Sequence, residues 1–509
     1  MPQNIKAFLV VVALAAVVFA VSRRYACTLC SCSEFKRRTG AWVAMTAAAF
    51  LSHNFWLYSL LAVFIVLFAM QRDTSRPSMF LFLLFVFPAV KVAISGFGVI
   101  NYLFYLDHPR LLSLVILLPA FLKSVQNPEP GRVKPRSVDL LVIAFISLAV
   151  LLELRDSSLT DALRNAFTNF IDIFLPYYVM SRSLRSVEDF RDLLLFFVTA
   201  ATILAVIAVF EYARHWLLYI SALNSMHVRW SLFGYMGRAG HVRSVASAGH
   251  SIVLGYILVI GIGFALFLRE RSRTPAMLAG IAILTLAAGL YVSLSRGPWV
   301  GAVTLVVVFL IVGPRPLKEL TKLGLIGALG LAILSLTPVS SKFIELLPFV
   351  GSTDAHTVEY RERLLDASLV VIMRNPWFGS VHYLDAPEMR QLASSWGFVD
   401  VVNTYVQIAL NLGLVGLSLF GLFFFSVLMR IARAIRSLPL EEWELRVLGR
   451  VLLATTAAVL VIIGTVSMIS LVPNLFWCLG GMGIAYWHLV NTRLQADLGL
   501  QQHETLPRP

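Results

Sequence analysis

Arg296 stands in the segment SLSRGPW, residues 293–299, between two long apolar runs. The runs at residues 276–292 and 300–312 are apolar enough to be membrane helices, so the segment is predicted to be a turn where water meets lipid. An arginine there keeps its charge and offers a planar fork of donors that fits a phosphate. An arginine that merely reaches from a helix end to the membrane surface is an equally weighted alternative.

A second basic group lies in residues 212–250. Its arginines and histidines are Arg214, His215, His227, Arg229, Arg238, His241, Arg243 and His250. Beside the turn at Arg296 they would form a pocket for a polyanion, with Arg238, Arg243 and His250 as candidate binding residues. The alternative is a solvated loop that contacts lipid headgroups.

Residues 358–374 are predicted to form a helix outside the membrane, and this helix carries Arg361. Its predicted buried face consists of Leu364, Leu365, Leu369 and Ile372. The dipeptide Asn375-Pro376 is expected to end the helix, because the residue before a proline is disfavoured in helical conformation.

Polar residues mark the start of the next apolar run. Asp400, Asn403, Gln407 and Asn411 recur at spacings of three and four, which places them on one face of a helix that enters the membrane. Such a stripe must face protein or water rather than lipid. It could line a sugar-binding cleft or hold neighbouring helices together, and the sequence weights both equally.

The elements that position these residues are membrane helices. The chain of 509 residues is 58% hydrophobic and only 14% charged, with many long apolar runs. Backbone groups in lipid must be bonded within the segment, so we predict an all-α polytopic protein with about 12–14 transmembrane helices and one large periplasmic helical loop. The net charge of +14 is not read as a nucleic-acid signal, because much of it falls in short loops where it sets orientation.

The alternation of basic and less basic loops predicts a cytoplasmic C-terminus and places the Arg296 turn on the periplasmic side. The predicted regions are N-terminal helices at 1–125, central helices at 126–337 with a periplasmic loop at 212–250, a large periplasmic loop at 338–402, C-terminal helices at 403–492 and a cytoplasmic tail at 493–509.

Two further features are interpreted as structural. Cys27, Cys30 and Cys32 lack a nearby fourth ligand and do not have zinc spacing, so reduced thiols in a cytoplasmic loop are favoured over a metal site. Asp172 lies inside an apolar run, where an acidic residue is functional or paired. We favour pairing, because it should lie half a span away from the outer loops.

The order of these motifs resembles the O-antigen polymerase/ligase family of bacterial membrane glycosyltransferases, over residues 238–420. The motifs are S-x-S-R-G-x-W at 293–299, R-x-x-x-S-x-G-H-S-I-x-L-G-Y at 243–256, Arg361 with Asn375-Pro376 and Phe378-Gly379, and the stretches 402–405 and 412–417. Residues 1–125, with GFGVINY at 96–102, are similar to the exopolysaccharide-polymerase branch.

The resemblance implies a GT-C-like fold in the bacterial inner membrane, with the active site facing the periplasm. It implies an inverting, metal-independent transfer without a cofactor, from a glycan on undecaprenyl diphosphate to an acceptor glycan. By motif, Arg243 and Arg296 would hold the diphosphate beside Ser295, and Arg361 would help to place donor or acceptor. A flippase and a chain-length regulator are expected partners, and nucleic acid is not.

One position departs from the family pattern. Many members have a histidine directly before the asparagine at 403, and this chain has Val402. Asp400 is therefore the candidate proton acceptor. The other candidates are His250, His356, Glu359, His382 and Glu388.

Three functions are compatible with the sequence. The leading hypothesis is a polymerase that joins lipid-linked repeat units into a surface or secreted polysaccharide. The second is a ligase that moves finished polymer onto lipid A core or another acceptor. The third, from another class, is a transporter of the same lipid-linked glycan, which would show charged residues in mid-span, discontinuous helices and internal repeats.

Overall fold

The structure is a computed structural model, and it describes residues 2–29, 31–98, 100–126, 137–228, 235–238, 240–270, 273–335, 355–393 and 399–504. These residues are almost entirely helical, with two short hairpins. Among them, seven helices are long and apolar enough to cross a membrane, and three shorter helices are also apolar. The protein is therefore an all-α polytopic membrane protein, as predicted, while the number of about 12–14 crossings stays a prediction.

The first half of the chain contains α1 (Gln3–Leu29), α2 (Cys32–Leu51), α3 (Phe55–Met70), α4 (Arg76–Leu83), β1 (Val92–Ser95), β2 (Tyr102–Leu106), α5 (His108–Leu112), α6 (Leu118–Gln126), α7 (Ser137–Asp156), α8 (Leu159–Asn169), α9 (Leu175–Ser183), α10 (Val187–Arg214) and α11 (Leu218–Ser225). Five-residue π-helices, Ser113–Leu117 and Phe170–Phe174, join α5 to α6 and α8 to α9.

The second half contains β3 (Gly237–Arg238), β4 (His241–Val242), α12 (Ser251–Arg269), α13 (Arg273–Val292), α14 (Arg296–Ile311), α15 (Pro316–Ser335), α16 (Ala355–Arg374), α17 (Pro387–Arg390), α18 (Thr404–Ser437), α19 (Trp443–Ile463) and α20 (Val472–Glu504). The strands β1 and β2 pair antiparallel, and so do β3 and β4.

Helices α10, α12 and α13 pack together, and α12 also contacts α14 and α19. The turn between α13 and α14 lies at one end of this bundle, which we call the site end. At the opposite end, Asp139 at the start of α7 pairs with Arg182 near the end of α9. There, too, Arg191 near the start of α10 pairs with Glu444 at the start of α19.

The run at residues 79–93 is not the continuous span that its hydrophobicity predicts. Helix α4 ends at Leu83, and the chain continues through turns to strand β1. Residues 79–90 are all buried within the protein. A non-helical backbone is tolerated there because protein rather than lipid surrounds it.

Helix α18 is interrupted at Gly413, whose φ of 67° and ψ of −170° are not helical. The interruption is filled by the segment after α16: Leu414 N donates to Pro376 O over 2.7 Å, and Val415 N donates to Trp377 O over 3.1 Å. A Cβ on Gly413 would lie 2.3 Å from the carbonyl carbon and oxygen of Trp377. Only glycine accommodates both this conformation and this contact.

Two of the N-terminal cysteines and Asp172 have partners in the structure. Cys27 and Cys32 form a disulfide, so the expectation of reduced thiols is wrong for these two, and Cys30 lies outside the described residues. The five-residue spacing brings the end of α1 and the start of α2 together, which sequence alone did not reveal. Asp172 is paired, as expected: Arg110 Nη2 lies 2.7 Å from its Oδ2.

Replacing Gly413 with alanine should strongly reduce the yield and melting temperature of the folded protein. The new Cβ would collide with the Trp377 carbonyl, and the backbone would be held in a left-handed conformation. We expect a loss of about 2–4 kcal/mol, measured by thermal unfolding in detergent. Gly421→Ala is the matched control in the same helix, because a Cβ there meets nothing within 4 Å. Equal melting temperatures for the two variants would contradict the proposed role of the interruption.

Candidate functional site

The turn between α13 and α14 has a strained backbone and carries one half-buried arginine. Leu294 has a φ of 49°, a left-handed conformation that leucine rarely adopts. Ser295 precedes α14, and Arg296 is the first residue of that helix. Trp299 Nε1 donates to Leu290 O over 3.0 Å, which ties the first turn of α14 to the last turn of α13. Arg296 is therefore held at a helix start, so the predicted turn is shorter than residues 293–299.

Gly297 allows this turn to approach α19 closely. A Cβ on Gly297 would lie 2.1 Å from Thr465 Oγ1. Thr465 lies just beyond the end of α19, so the contact places Arg296 beside the segment 464–471. The small residue after Arg296 thus decides which part of the chain the arginine faces.

Two arginines of the 212–250 loop are bonded to the turn. Arg238 Nη1 donates to Leu294 O over 2.5 Å, and Arg243 Nη2 donates to Ser295 Oγ over 2.9 Å. Arg238 belongs to β3 and Arg243 directly follows β4, so the short hairpin sets the spacing of the two arginines. The structure therefore places Arg238 and Arg243 beside the turn that contains Ser295 and Arg296.

Glu211 anchors the loop, and the sequence analysis did not identify it. Its side chain is fully buried; Oε2 accepts from Val245 N over 3.1 Å and Ala246 N over 2.9 Å, and Oε1 accepts from Leu218 N over 3.0 Å. A buried carboxylate with three backbone donors fixes the chain on both sides of Arg243. The available signal was an acidic residue directly after the apolar run 193–210.

His250 caps α12 next to Arg243. Its Nδ1 accepts from Ile252 N over 3.3 Å. Burial of the ring, together with the neighbouring charge of Arg243, lowers the pKa of His250 to about 4. The imidazole is therefore neutral at neutral pH and adds no charge to the site, and one of its nitrogens already serves the helix.

Arg361 reaches the same place from α16. Its Nη2 lies 3.5 Å from Thr465 O. Burial lowers the pKa of Arg361, the charges of Arg238 and Arg296 lower it further, and Asp400 acts in the opposite direction. Thr465 also lies against Gly297, so Arg361 contacts the same residue as the turn that carries Arg296. We call Arg238, Arg243, Arg296 and Arg361 the arginine cluster.

Asp400 borders the arginine cluster on the segment that leads into α18. Its Oδ1 accepts a hydrogen bond from Ser467 Oγ, and its backbone oxygen accepts one from Tyr360 OH over 3.1 Å. Ser467 belongs to the same segment after α19 that contains Thr465. The carboxylate is thus oriented by a neutral donor and lies within the electrostatic reach of Arg361.

Asn403 and Gln407 have structural partners. Asn403 Oδ1 caps α18 by accepting from Tyr405 N over 2.9 Å and Val406 N over 3.2 Å. Gln407 Oε1 accepts from Met468 N over 2.9 Å, which joins α18 to the segment after α19. These bonds favour the second of the two sequence-based interpretations, in which the polar stripe connects helices. The predicted role of these amides in sugar binding stays a prediction.

The remaining candidate bases have partners away from the arginine cluster. Glu388 pairs with Arg374, Glu359 pairs with Arg363, and His382 contacts Asp156 O through Nε2 over 3.0 Å. The side chain of His356 lies outside the described part of the chain. Among the candidates whose side chains are described, Asp400 and His250 are the ones that border the arginine cluster.

The predicted buried face of α16 is partly wrong. Leu364 is buried, but Leu365 and Leu369 are 46% and 50% exposed. The face that packs runs through Leu364, Ser368 and Val371 instead, against a small core that includes Met389 and Leu410. Leucines on two sides of the helix gave no basis in the sequence for choosing between them.

The arrangement of these side chains is suited to binding an anion. Four arginines converge on one end of a membrane bundle, and guanidinium groups bind phosphate through paired donors. In the described residues, no three His, Cys, Asp or Glu side chains are grouped as metal ligands would be.

Residues 281–421 match a family model described as O-antigen ligase. The match starts within α13 and ends within α18, so it includes Arg296, Arg361 and Asp400. Arg238, Arg243 and His250 precede it. No curated protein sequence matches the chain significantly.

Proposed function

We propose, from the membership of residues 281–421 in the O-antigen ligase family, that this membrane enzyme polymerises undecaprenyl-diphosphate-linked oligosaccharide repeat units into a surface or secreted polysaccharide. The family comprises glycosyltransferase-like ligases and polymerases that act on lipid-linked glycans. The observation that carries the proposal is the arginine cluster at the site end of the bundle.

The arginine cluster supplies what the leaving group requires. An acceptor hydroxyl attacks the anomeric carbon of the donor from the face opposite the diphosphate, so the configuration inverts. The bond between the anomeric carbon and the diphosphate oxygen breaks, and the lipid diphosphate leaves with the electron pair. Arginines fixed beside that oxygen stabilise the charge as it develops, and they do so without a divalent ion.

Asp400 takes the proton of the acceptor hydroxyl in this mechanism. It borders Arg361 and is held by Ser467, so its carboxylate is oriented next to the anion-binding groups. It would serve in place of the histidine that the resemblance implies for many family members directly before the asparagine, a position that is Val402 here. The neutral ring of His250 lies near Arg243. Its Nδ1 accepts a hydrogen bond from Ile252 N at the start of α12, so we do not assign the proton transfer to it.

The site end, together with α16, is proposed to face the periplasm of a bacterial inner membrane. The flippase and chain-length regulator belong to this proposal as partners. A ligase that transfers finished polymer to lipid A core or another acceptor uses the same donor chemistry and is the second candidate. A transporter is disfavoured, because the interruption of α18 at Gly413 is filled by the backbone of Pro376 and Trp377.

Replacing Arg296 with alanine should abolish polymer formation while the protein persists in the membrane. We expect at least about a hundredfold loss, the scale seen when one charge-stabilising donor is removed. The measurement sizes both the carrier-linked glycans and the surface polysaccharide in the native host, with protein quantified by blot. Accumulated single repeats on the carrier, without long chains, would identify a polymerase.

Arg315→Ala is the matched control, because Arg315 is exposed just beyond the other end of α14. It should leave both glycan pools unchanged. If the Arg296 variant instead accumulates long chains on the carrier and the final acceptor carries no polymer, the protein is a ligase rather than a polymerase. If the carrier-linked glycans and the surface polysaccharide are unchanged in the Arg296 variant at a normal protein level, Arg296 has no role in the mechanism.

Replacing Asp400 with asparagine should lower turnover by about 10²–10⁴-fold, the usual contribution of a general base. The fold should persist, because Ser467 can still donate to the asparagine oxygen. The assay follows chain growth by the purified protein in vesicles that contain a lipid-linked repeat unit. Asp366→Asn, at an exposed position on α16, serves as the control. Near-normal turnover in the Asp400 variant would show that another group accepts the proton.

A further inference from the structure

Helix α16 has a packed face and an open face of the same apolar character. Leu364, Ser368 and Val371 form the packed face. The open face, continued by the loop that follows, consists of Leu365, Leu369, Val370, Met373, Trp377 and Phe378. Met373 is 74% exposed and Trp377 is 65% exposed, so these are not edges of the core. A contiguous apolar surface of this kind marks an interaction site.

The charges of α16 are distributed unevenly along its axis. Glu359, Arg361, Glu362, Arg363 and Asp366 all lie in its first twelve residues. After Asp366 the helix has one charged residue, Arg374, and that residue pairs with Glu388. The open face therefore changes from charged to apolar in the direction of Trp377, as expected of a helix whose second half leaves water.

The apolar end of α16 lies next to exposed apolar residues of two candidate membrane spans. Trp377 is in contact with Gly413, about nine residues into α18, and the neighbouring Leu414 is exposed on that membrane span. Arg155 Nη2 donates to Gly379 O over 3.2 Å, which joins the loop to the end of α7. On α7, Leu151 and Leu154 are exposed on a candidate membrane span.

We propose that the open face of α16, with Trp377 and Phe378, is immersed in the membrane leaflet at the site end. The apolar surfaces of α7 and α18 are continuous with it, and a tryptophan beside paired charges is typical of a membrane interface. The helix is thus an interfacial anchor rather than a helix in water. Because Arg361 lies on the same helix, the anchor fixes the height of its guanidinium over the turn at Arg296.

The test places a nitroxide on a cysteine at position 373 or at position 362 of the full-length chain, with the four native cysteines replaced. Met373 is on the open face, and Glu362 is exposed near the charged end of the same helix. The protein is reconstituted in phosphatidylethanolamine and phosphatidylglycerol vesicles without any polyprenyl lipid. Electron paramagnetic resonance then measures collisions with dissolved oxygen and with a water-soluble nickel chelate.

The proposal expects oxygen collisions to exceed nickel collisions several-fold at position 373 and the reverse at position 362. Nickel access at both positions would overturn it. If oxygen collisions dominate at position 373 only after a polyprenyl diphosphate is added, the open face binds the polyprenyl chain rather than the membrane leaflet, which would overturn the proposal. Dipolar broadening between labels would assign it to a second copy. None of these readings requires turnover, so the result is independent of the proposed polymerase activity.

Discussion

The structure depends on holding several arginines together against their mutual repulsion. Arg238 and Arg296 both lower the pKa of Arg361, which means that each destabilises the charged form of its neighbour. The chain offsets this through fixed geometry: a strained turn at Leu294, a carbonyl and a hydroxyl that bind Arg238 and Arg243, and the buried anchor Glu211. A diphosphate would relieve the repulsion.

The two ends of the bundle treat arginine differently. At the end opposite the site, Arg38 is fully buried and lies 2.8 Å from both Asp73 and Asp192. Arg182 and Arg191 likewise have carboxylate partners there. Paired charges of this kind stabilise one arrangement of helices, because losing either partner would leave a buried charge. At the site end the described bonds of Arg238 and Arg243 go to neutral oxygens, the Leu294 carbonyl and the Ser295 hydroxyl.

The sequence predicted the features that depend on local pattern. Hydrophobicity gave the membrane class, the apolar runs on both sides gave the turn at Arg296, and Asn375-Pro376 marked the end of α16. It could not supply features that depend on distant contacts. The burial of Glu211, the choice of the packed face of α16 and the interruption at Gly413 all depend on residues more than thirty positions away or on a neighbouring element. Gln407 was correctly placed on a helix, but Asn403 is the N-cap of that helix and Asp400 precedes it, so the predicted helical stripe is wrong for these two. The partners of Asn403 and Gln407 were not apparent from the sequence.

The central claim, that the arginine cluster binds a lipid diphosphate, is tested most directly by affinity. Purified full-length protein would be titrated with a polyprenyl diphosphate and with the matching monophosphate, in EDTA. The account predicts that the diphosphate binds at least about tenfold more tightly and that Arg361→Gln removes most of this difference, since one lost charge-assisted contact is worth about 1–3 kcal/mol. Equal affinity for the two lipids, or binding that requires a divalent ion, would contradict it.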